Sequence, residues 1–314
     1  MARRPVWAGS ADKTLSRAVE IWHHGAVKRR SLSLFASKLA TVLRQDMPDC
    51  VIVRAPRTLS LQDARAGLIA YETRVVVEAG KKYISIESHA VLLREASILF
   101  VHGLLPGMTQ PHLFERVLER NGQLRDFAAI QLQMSALWPT ILWMRREQRL
   151  VGRGDPVTAV VTPFEGGLFF AAIEKVGELP AAGPLRAIVD STGTRQKSLR
   201  DYYADGSMRA NVMTKTFVDK SKLTSNQQNL HDALKEFILA FGDVVSENDW
   251  RWKIGLGEPD QTVADIARAF RIVMPTPARR KQAYDALELI VTSSLWRDEE
   301  ARNLENQARR RTLV

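Results

Sequence analysis

Residues 71–88 read YETRVVVEAGKKYISIES, and this stretch decides how the first half of the chain folds. The first part is rich in β-branched residues and ends at Gly80, and the second part alternates polar residues with Ile84 and Ile86. A period of two is typical of a strand, and a connection that contains glycine lets the chain reverse. The stretch therefore predicts a β-hairpin.

Sequence patterns typical of helices lie before and after this hairpin in the first half of the chain. Apolar residues recur every three or four positions in DKTLSRAVEIWHH, and Ser31 can cap the helix that follows. The apolar run that starts at His89 also fits a helical period, and Pro111 suits a first helical turn. We expect helices at 12–24, 31–45, 60–70, 89–105 and 110–149, the last with a kink at Pro139, and a strand at 50–55.

The second half begins after the loop sequence GRGDP at 152–156. VTAVVTPFEGGLFFAAIEKV predicts two strands around Gly166-Gly167, and Pro163 predicts that the first strand lies at a sheet edge or ends there. We expect further strands at 184–190 and 212–219, a polar mobile loop at 191–211, and helices at 226–241 and 277–311.

These elements predict an α+β fold, mixed and helix-rich, with short antiparallel hairpins and a helical C-terminal region. We expect three portions: an N-terminal α+β portion at 1–150, a β-rich portion at 151–220 and a helical region at 221–314.

Composition narrows the class of protein. The chain has 314 residues, 45% of them hydrophobic, and a single cysteine, Cys50, which excludes an internal disulfide framework and a multi-cysteine zinc site. His23-His24, the pair His102 and His112, and Asp190 lack a complete ligand set, so we predict no metal and no cofactor. No apolar run is long enough to cross a bilayer, and we expect a cytoplasmic protein with no membrane partner.

The formal net charge of +10 favours polyanionic partners, and nucleic acid first among them. A basic surface that binds nothing is the alternative explanation of the same charge.

Residues 262–281, TVADIARAFRIVMPTPARRK, resemble a helix-turn-helix of the bacterial regulator kind. Ala267 would be the small residue at the helix crossing, Thr276 would cap the second helix, and Pro277 would open it. Arg271 takes the turn position that glycine usually holds, which predicts a strained left-handed backbone there. The alternative is a surface helix, a proline-rich elbow and a second amphipathic helix.

The resemblance implies that phosphate contacts come from the start of the second helix, at Arg279, Arg280 and Lys281. Secondary basic patches are Lys28, Arg29 and Arg30, and Arg309, Arg310 and Arg311. Trp250 and Trp252 are candidates for base stacking, with core packing as the alternative.

ISIESHAVLLREAS at 84–97 resembles the step from strand to helix in small bacterial ribonuclease-like toxin folds. The resemblance implies that His89 transfers a proton and that Arg94 stabilises phosphate charge. The alternative for His89 is a histidine that caps a helix.

We therefore predict a nucleic-acid-binding protein, DNA more than RNA, of the type of a DNA-binding regulator or a mobile-element factor. The alternatives are a metal-independent ribonuclease that uses His89, and a scaffold whose long helices at 110–149 and 277–311 pair with a protein partner or a second copy.

Overall fold

The fold is α+β, as predicted, with a sheet covered by helices on both faces. A computed structural model describes residues 8–24, 32–47, 51–54, 66–78, 81–94, 97–104, 108–120, 137–147, 158–175, 185–198, 210–254, 261–299, 301–302 and 305. The longer helices in these ranges are α1 (Ala8–His24), α2 (Leu32–Asp46), α3 (Pro111–Arg120), α4 (Trp138–Glu147), α5 (Ser225–Ala240), α6 (Gly242–Ile254), α7 (Gln261–Phe270) and α8 (Pro277–Val291).

The strands form one sheet whose pairs are antiparallel, except for a short parallel contact between β5 and β10. They are β1 (Val51–Arg54), β2 (Ala66–Glu78), β3 (Lys81–Leu93), β4 (Ser97–Leu104), β5 (Met108–Thr109), β6 (Thr158–Phe164), β7 (Gly167–Lys175), β8 (Leu185–Asp190), β9 (Gly193–Ser198) and β10 (Ala210–Asp219). Strands from 51–109 and from 158–219 therefore pair in the same sheet.

Strand β3 is the branching point of this sheet. One edge pairs with β2 along 13 residues. The other edge pairs with β4 through Glu87–Leu93 and with β5 at Ile84. Beyond β4 the sheet continues into β8 and β9, and beyond β5 it continues into β10, β7 and β6. The sheet thus forks between Ile84 and Glu87.

The two faces of β2, β3 and β4 are covered by different helices. Side chains at alternate positions of a strand point to opposite faces. Val91 and Leu93 belong to a core cluster with residues of α1 and α2, such as Leu15 and Leu39. Their neighbour Leu92 belongs to a cluster with residues of α6 and α7. Both faces are therefore buried.

A further core cluster lies over the other arm of the fork. It joins β6, β7 and β10 to α4, α5, α6 and α8 through large apolar side chains. Trp138 and Trp143 of α4 are among the most deeply buried, and the indole Nε1 of Trp138 donates to Thr162 Oγ1 at 3.0 Å. Burial of aromatic side chains of this size makes a large contribution to stability.

Several predicted elements are confirmed. The hairpin at 71–88 extends to two strands that span 66–93, which makes it longer than a short hairpin. The strand that contains Pro163 lies at the sheet edge. The expected strands β1, β8 and β10 and the helices α1, α2 and α5 are present, and Thr224 caps α5 through a capping box with Gln227.

Other predictions are wrong in the described residues. Residues 89–93 form the end of β3, residues 97–104 form β4, and residues 66–70 belong to β2. These segments are apolar on both faces, so the alternation that marks a half-buried strand is absent. Strand β9 lies inside the predicted loop at 191–211, and α8 ends at Val291, where Thr292 caps it. Pro139 lies in the first turn of α4 instead of at a kink.

Within the described residues, no helix has the length and apolar character needed to cross a membrane.

Candidate functional site

Four ionisable side chains lie on one face of the sheet, next to its fork. In the registers of β3, His89 lies opposite Ala70 of β2 and His102 of β4, and Glu87 lies opposite Glu72 of β2. Residues two apart on a strand, and residues opposite each other on neighbouring strands, present their side chains on the same face. Three strands therefore bring two histidines and two glutamates together.

The contacts among these side chains are short. The Nε2 atom of His102 is 3.3 Å from Glu87 Oε2, within hydrogen-bond distance. The Nε2 atom of His89 is 3.9 Å from Glu87 Oε2 and 3.9 Å from Glu72 Oε2. The imidazole centroids of His89 and His102 are 5.1 Å apart. We call Glu72, Glu87, His89 and His102 the fork cluster.

The fork cluster is deeply buried except at one side chain. The side chain of His89 is fully buried and those of Glu87 and His102 nearly so, whereas that of Glu72 is 24% exposed. The buried face is the one that α1 and α2 cover, because the next residue on the same face of β3, Val91, packs in that cluster. Glu72 is therefore the residue of the fork cluster that lies closest to solvent.

Chemically, the fork cluster combines imidazole nitrogens with carboxylate oxygens. A buried carboxylate is costly unless a positive charge or hydrogen-bond donors compensate it. Protonated imidazoles or a bound cation can both supply that compensation. One ligand atom each from Glu87, His89 and His102 lie within 4.8 Å of one another, so these three residues are able to hold a metal ion.

The sequence predicted a role for His89, but it grouped His102 with His112 and gave no role to Glu72 or Glu87. Glu87 and His89 are two apart on one strand, and His102 follows in the next apolar run. Had 97–104 been assigned as a strand, a hairpin from β3 to β4 would have predicted His89 opposite His102. The helix assigned to 89–105 hid that relationship.

Arg94, the predicted partner of His89, does not join the fork cluster. It follows the last residue of β3 and forms an ion pair through Nη2 with Asp265 of α7, a carboxylate that is almost fully buried. Residues 89 and 94 are an odd number of positions apart on an extended chain, so their side chains leave on opposite faces. Arg94 thus ties α7 to the sheet.

The stretch at 262–281 forms two helices joined by a connection at 272–276 that has no regular secondary structure. Thr276 is the N-cap of α8, where its side chain accepts from Arg279 N, and Pro277 opens the helix, as expected. Arg271 has a φ of 55°, which confirms the expected left-handed backbone. Ile272 N donates to Ala267 O and Arg271 N to Arg268 O, the pattern of a Schellman motif.

The two helices of this stretch pack in different places. The buried residues of α7, such as Ile266, pack with β2, β3 and β4. The buried residues of α8, such as Tyr284 and Leu287, belong to the cluster over β6 and β7. A helix-turn-helix unit needs its two helices to share one small core. The separate packing of α7 and α8 therefore matches the alternative of two helices joined by a proline-rich elbow.

The cations at the start of α8 all have acidic partners. Arg279 Nε is 3.3 Å from Asp243 Oδ2, and its guanidinium also lies over the Phe241 ring. Arg280 Nε is 2.9 Å from the buried carboxylate of Glu247. Lys281 Nζ is 2.5 Å from Asp285 Oδ2. Nucleic-acid binding by these three residues stays a prediction, and their contacts do not favour it.

Trp250 lies in the core, on α6. Its indole is 6% exposed and stacks on Phe270 with centroids 6.4 Å apart. This contact agrees with core packing, the alternative to base stacking. The side chain of Trp252 lies outside the described residues, as do Lys28, Arg29 and Arg30 and the patch Arg309, Arg310 and Arg311.

A different part of the chain carries most of the net positive charge. Residues 1–54 contain ten Lys and Arg against four Asp and Glu, which is +6 of the total +10. The exposed cations of this part are Lys13 on α1, Lys38 and Arg44 on α2, and Arg54 on β1. No carboxylate in the described part of the chain forms an ion pair with any of the four.

Arg17, the fifth cation among the described residues of 1–54, is neutralised by two carboxylates of the same part of the chain. Arg17 of α1 donates to Glu20 at 2.8 Å and to Asp46 of α2 at 3.0 Å. These two hydrogen-bonded carboxylates raise the pKa of Arg17 above its ordinary value. The contact with Asp46 joins α1 to α2. Because Arg17 pairs with both Glu20 and Asp46, these two carboxylates lie beside it. We call the exposed cations Lys13 of α1 and Lys38 and Arg44 of α2 the basic face.

Comparison with known proteins gives no relative from which a function could be transferred: no protein family, no curated protein and no solved structure matches this chain.

Proposed function

We propose that the protein binds nucleic acid through the basic face of α1 and α2. The observation that carries the proposal is the concentration of +6 of the net charge in residues 1–54. Cations that lack an acidic neighbour can exchange water and counterions for phosphate oxygens. Within the ranges that the structure describes, no carboxylate forms an ion pair with Lys13, Lys38 or Arg44, whereas the arginines at the start of α8 are already paired.

The spacing of the cations on α2 suits a phosphate backbone. Lys38 and Arg44 are six residues apart, which corresponds to about 9 Å along a helix axis and about 120° around it. Successive nucleotides of one duplex strand rise by about 3.4 Å, so the two side chains would reach phosphates a few nucleotides apart. Long and flexible Lys and Arg side chains tolerate small differences in that spacing.

The sequence between α1 and α2 contains three further cations. Lys28, Arg29 and Arg30 follow α1 and precede α2 in the chain, so they begin within a few residues of the end of α1. Contacts of this kind recognise the backbone, and they carry no base specificity by themselves. We therefore propose binding with little sequence preference, to duplex DNA before RNA.

The nuclease alternative has less support from the described contacts. The side chain of His89 is fully buried, and Arg94 is paired with Asp265 on the other side of the sheet. A general base must come within hydrogen-bond reach of the proton it abstracts. A phosphodiester could reach His89 only if α1 and α2 moved away.

Fluorescence anisotropy with a labelled DNA duplex tests the proposal, with single-stranded RNA of the same length as a second probe. We expect log K to fall linearly with log salt concentration. The variant Lys38→Glu/Arg44→Glu removes two phosphate contacts, so the magnitude of the salt slope should fall by about 2. Circular dichroism of the variant should match that of the wild type, since both residues are exposed.

Two control variants complete the design. Lys235→Glu reverses one charge, half the change of the double variant, on the exposed side of α5, and we expect it to leave the slope unchanged. Lys281→Glu reverses one charge in the region of the sequence-based prediction at the start of α8. Equal losses per reversed charge in all three variants would mean that net charge alone governs binding, and a salt-independent affinity would exclude phosphate contacts altogether.

A further inference from the structure

We propose that the fork cluster is a binding site for a divalent transition-metal ion. The ligands are Glu87 and His89 of β3 and His102 of β4, with Glu72 of β2 as the fourth. This proposal is independent of nucleic-acid binding, because the basic face and the fork cluster share no residue.

The geometry of the cluster is close to that of a bound ion. Ligand atoms about 2.0 to 2.1 Å from a tetrahedral zinc ion are about 3.4 Å from one another. The Nε2 atom of His102 is 3.3 Å from Glu87 Oε2, and the Nε2 atom of His89 is 3.9 Å from both glutamates. Small torsions can bring Glu87, His89 and His102 to coordination distance without moving the strands, because their ligand atoms already lie within 4.8 Å of one another. Glu72 lies outside that group of three and would reach the ion by rotation of its more exposed side chain.

The chemistry of the donors selects the class of ion. Two imidazoles and carboxylates are the ligands of zinc and of non-haem iron, whereas magnesium and calcium prefer oxygen donors alone. No cysteine is present in the cluster to favour a softer ion. Zinc or another divalent ion of the first transition row is therefore the ion we expect.

Burial favours a cation at this position. The carboxylate of Glu87 is 4% exposed and lies beside two imidazoles that are almost completely buried. An ion of charge +2 would offset the cost of burying that carboxylate and the neighbouring Glu72 carboxylate together. It would also bind the imidazoles in their neutral form, in which burial costs less.

The position of the cluster indicates what the ion would do. Its ligands come from three adjacent strands, and they lie where β3 leaves β4 and begins to pair with β5. A four-coordinate ion closed by Glu72 has no open position for a substrate, which is characteristic of structural sites. The ion would thus hold β2, β3 and β4 together at the fork. Glu72, at 24% exposure, marks the side from which the ion enters.

Metal titration of the full chain tests the proposal directly. Protein stripped with a chelator and then freed of it is titrated with Co²⁺, and the visible absorption of the ion reports its coordination. We expect one tightly bound equivalent with the intense bands of tetrahedral coordination. Zinc should displace the cobalt, and zinc but not magnesium should raise the midpoint of thermal unfolding.

Variants assign the site to the named residues. His102→Gln and Glu72→Gln each change a ligand, so each should weaken binding by more than the roughly 10- to 100-fold cost of losing an outer-shell partner. His112→Gln, on the exposed side of α3, is the matched control and should bind like the wild type. If the His102→Gln variant does not fold because the position is buried, the Glu72→Gln variant, at a more exposed position, still tests the site.

Two results would overturn the proposal. One is a wild-type protein that gives no tetrahedral cobalt spectrum and no zinc-dependent rise in thermal stability. The other is a folded His102→Gln or Glu72→Gln variant that binds zinc as tightly as the wild type does. In either case the fork cluster is a network of imidazole and carboxylate groups that is held together by protons alone.

Discussion

Arg280 of α8 and Glu247 of α6 form an ion pair, with 2.9 Å between Nε and Oε2, in which the carboxylate is completely buried. The arginine side chain is 17% exposed, so the pair lies under the surface where the two helices meet. Close by, Asn248 Oδ1 accepts from both Tyr284 Oη and Arg251 Nη1. These contacts connect α6 to α8 through polar groups in addition to the apolar core.

We predict that Arg280→Ala destabilises the fold by about 3 kcal/mol, because it leaves the Glu247 carboxylate buried without its arginine. Urea denaturation measures the loss. Lys281→Ala is the control: its pair with Asp285 is exposed, and such pairs contribute at most about 1 kcal/mol. If the two substitutions lower the free energy of unfolding equally, the burial of Glu247 does not determine the loss of stability.

Replacing Arg271 with glycine is expected to stabilise the fold. Its φ of 55° is unfavourable for a side chain with a Cβ atom and is readily adopted by glycine. We expect Arg271→Gly to raise the free energy of unfolding by about 0.5 to 1 kcal/mol. Arg271→Ala removes the same side chain but keeps the Cβ, so it should give no such gain. If both variants behave alike, the side chain and not the backbone determines the effect.

The N-cap of α8 is the third test. Thr276 accepts a hydrogen bond from Arg279 N at 3.2 Å, which satisfies one of the free N–H groups at the helix start. We predict that Thr276→Ala lowers the free energy of unfolding by about 1 kcal/mol. Thr276→Ser keeps the hydroxyl and should stay within a few tenths of the wild type. A loss as large in the serine variant would assign the effect to the methyl group.

The lowered pKa of Asp232 predicts that the stability of the fold depends on pH. The hydrogen bond from His231, followed by that from Gln228, lowers the pKa of the Asp232 carboxyl below its ordinary value. A carboxyl with a lowered pKa in the folded state stabilises the fold above its unfolded pKa of about 3.9, and it loses that contribution as pH falls through the folded value. The stability difference between wild type and Asp232→Asn should therefore shrink in acid.

Chemical denaturation of both proteins at pH values from neutral to strongly acidic measures that difference. Glu236→Gln, an exposed position on the same helix, serves as the control for removing one acidic group. We expect the difference between wild type and Asp232→Asn to be constant near neutral pH and to decrease below about pH 4. A difference that grows in acid would contradict the lowered pKa.

Local sequence signals were sufficient for much of the fold. The alternation in 71–88 predicted the hairpin of β2 and β3, and Pro163 predicted an edge strand. Thr276-Pro277 predicted the start of α8, and Arg271 predicted the left-handed residue before it. Each of these signals depends on backbone conformation within a few residues, so no knowledge of distant contacts was needed.

The same signals failed where both faces of an element are buried. In 89–104 apolar residues fill consecutive positions, because α1 and α2 cover one face of β3 and β4 and α6 and α7 cover the other. Without alternation, a buried strand has the pattern of a buried helix. The fork cluster was missed for this reason, since His102 comes opposite His89 only if both lie on paired strands.

The sequence by itself determined the number of cations, the caps and turns, and the strand character of the central hairpin. Tertiary structure alone decided which cations have acidic partners and which ionisable residues meet. Arg280 and Glu247 are 33 positions apart in the chain, and Glu72 and His89 are 17 apart, yet each pair is brought together by packing or strand pairing. Charge is a property of each residue, whereas its neutralisation depends on the distance to residues far along the chain.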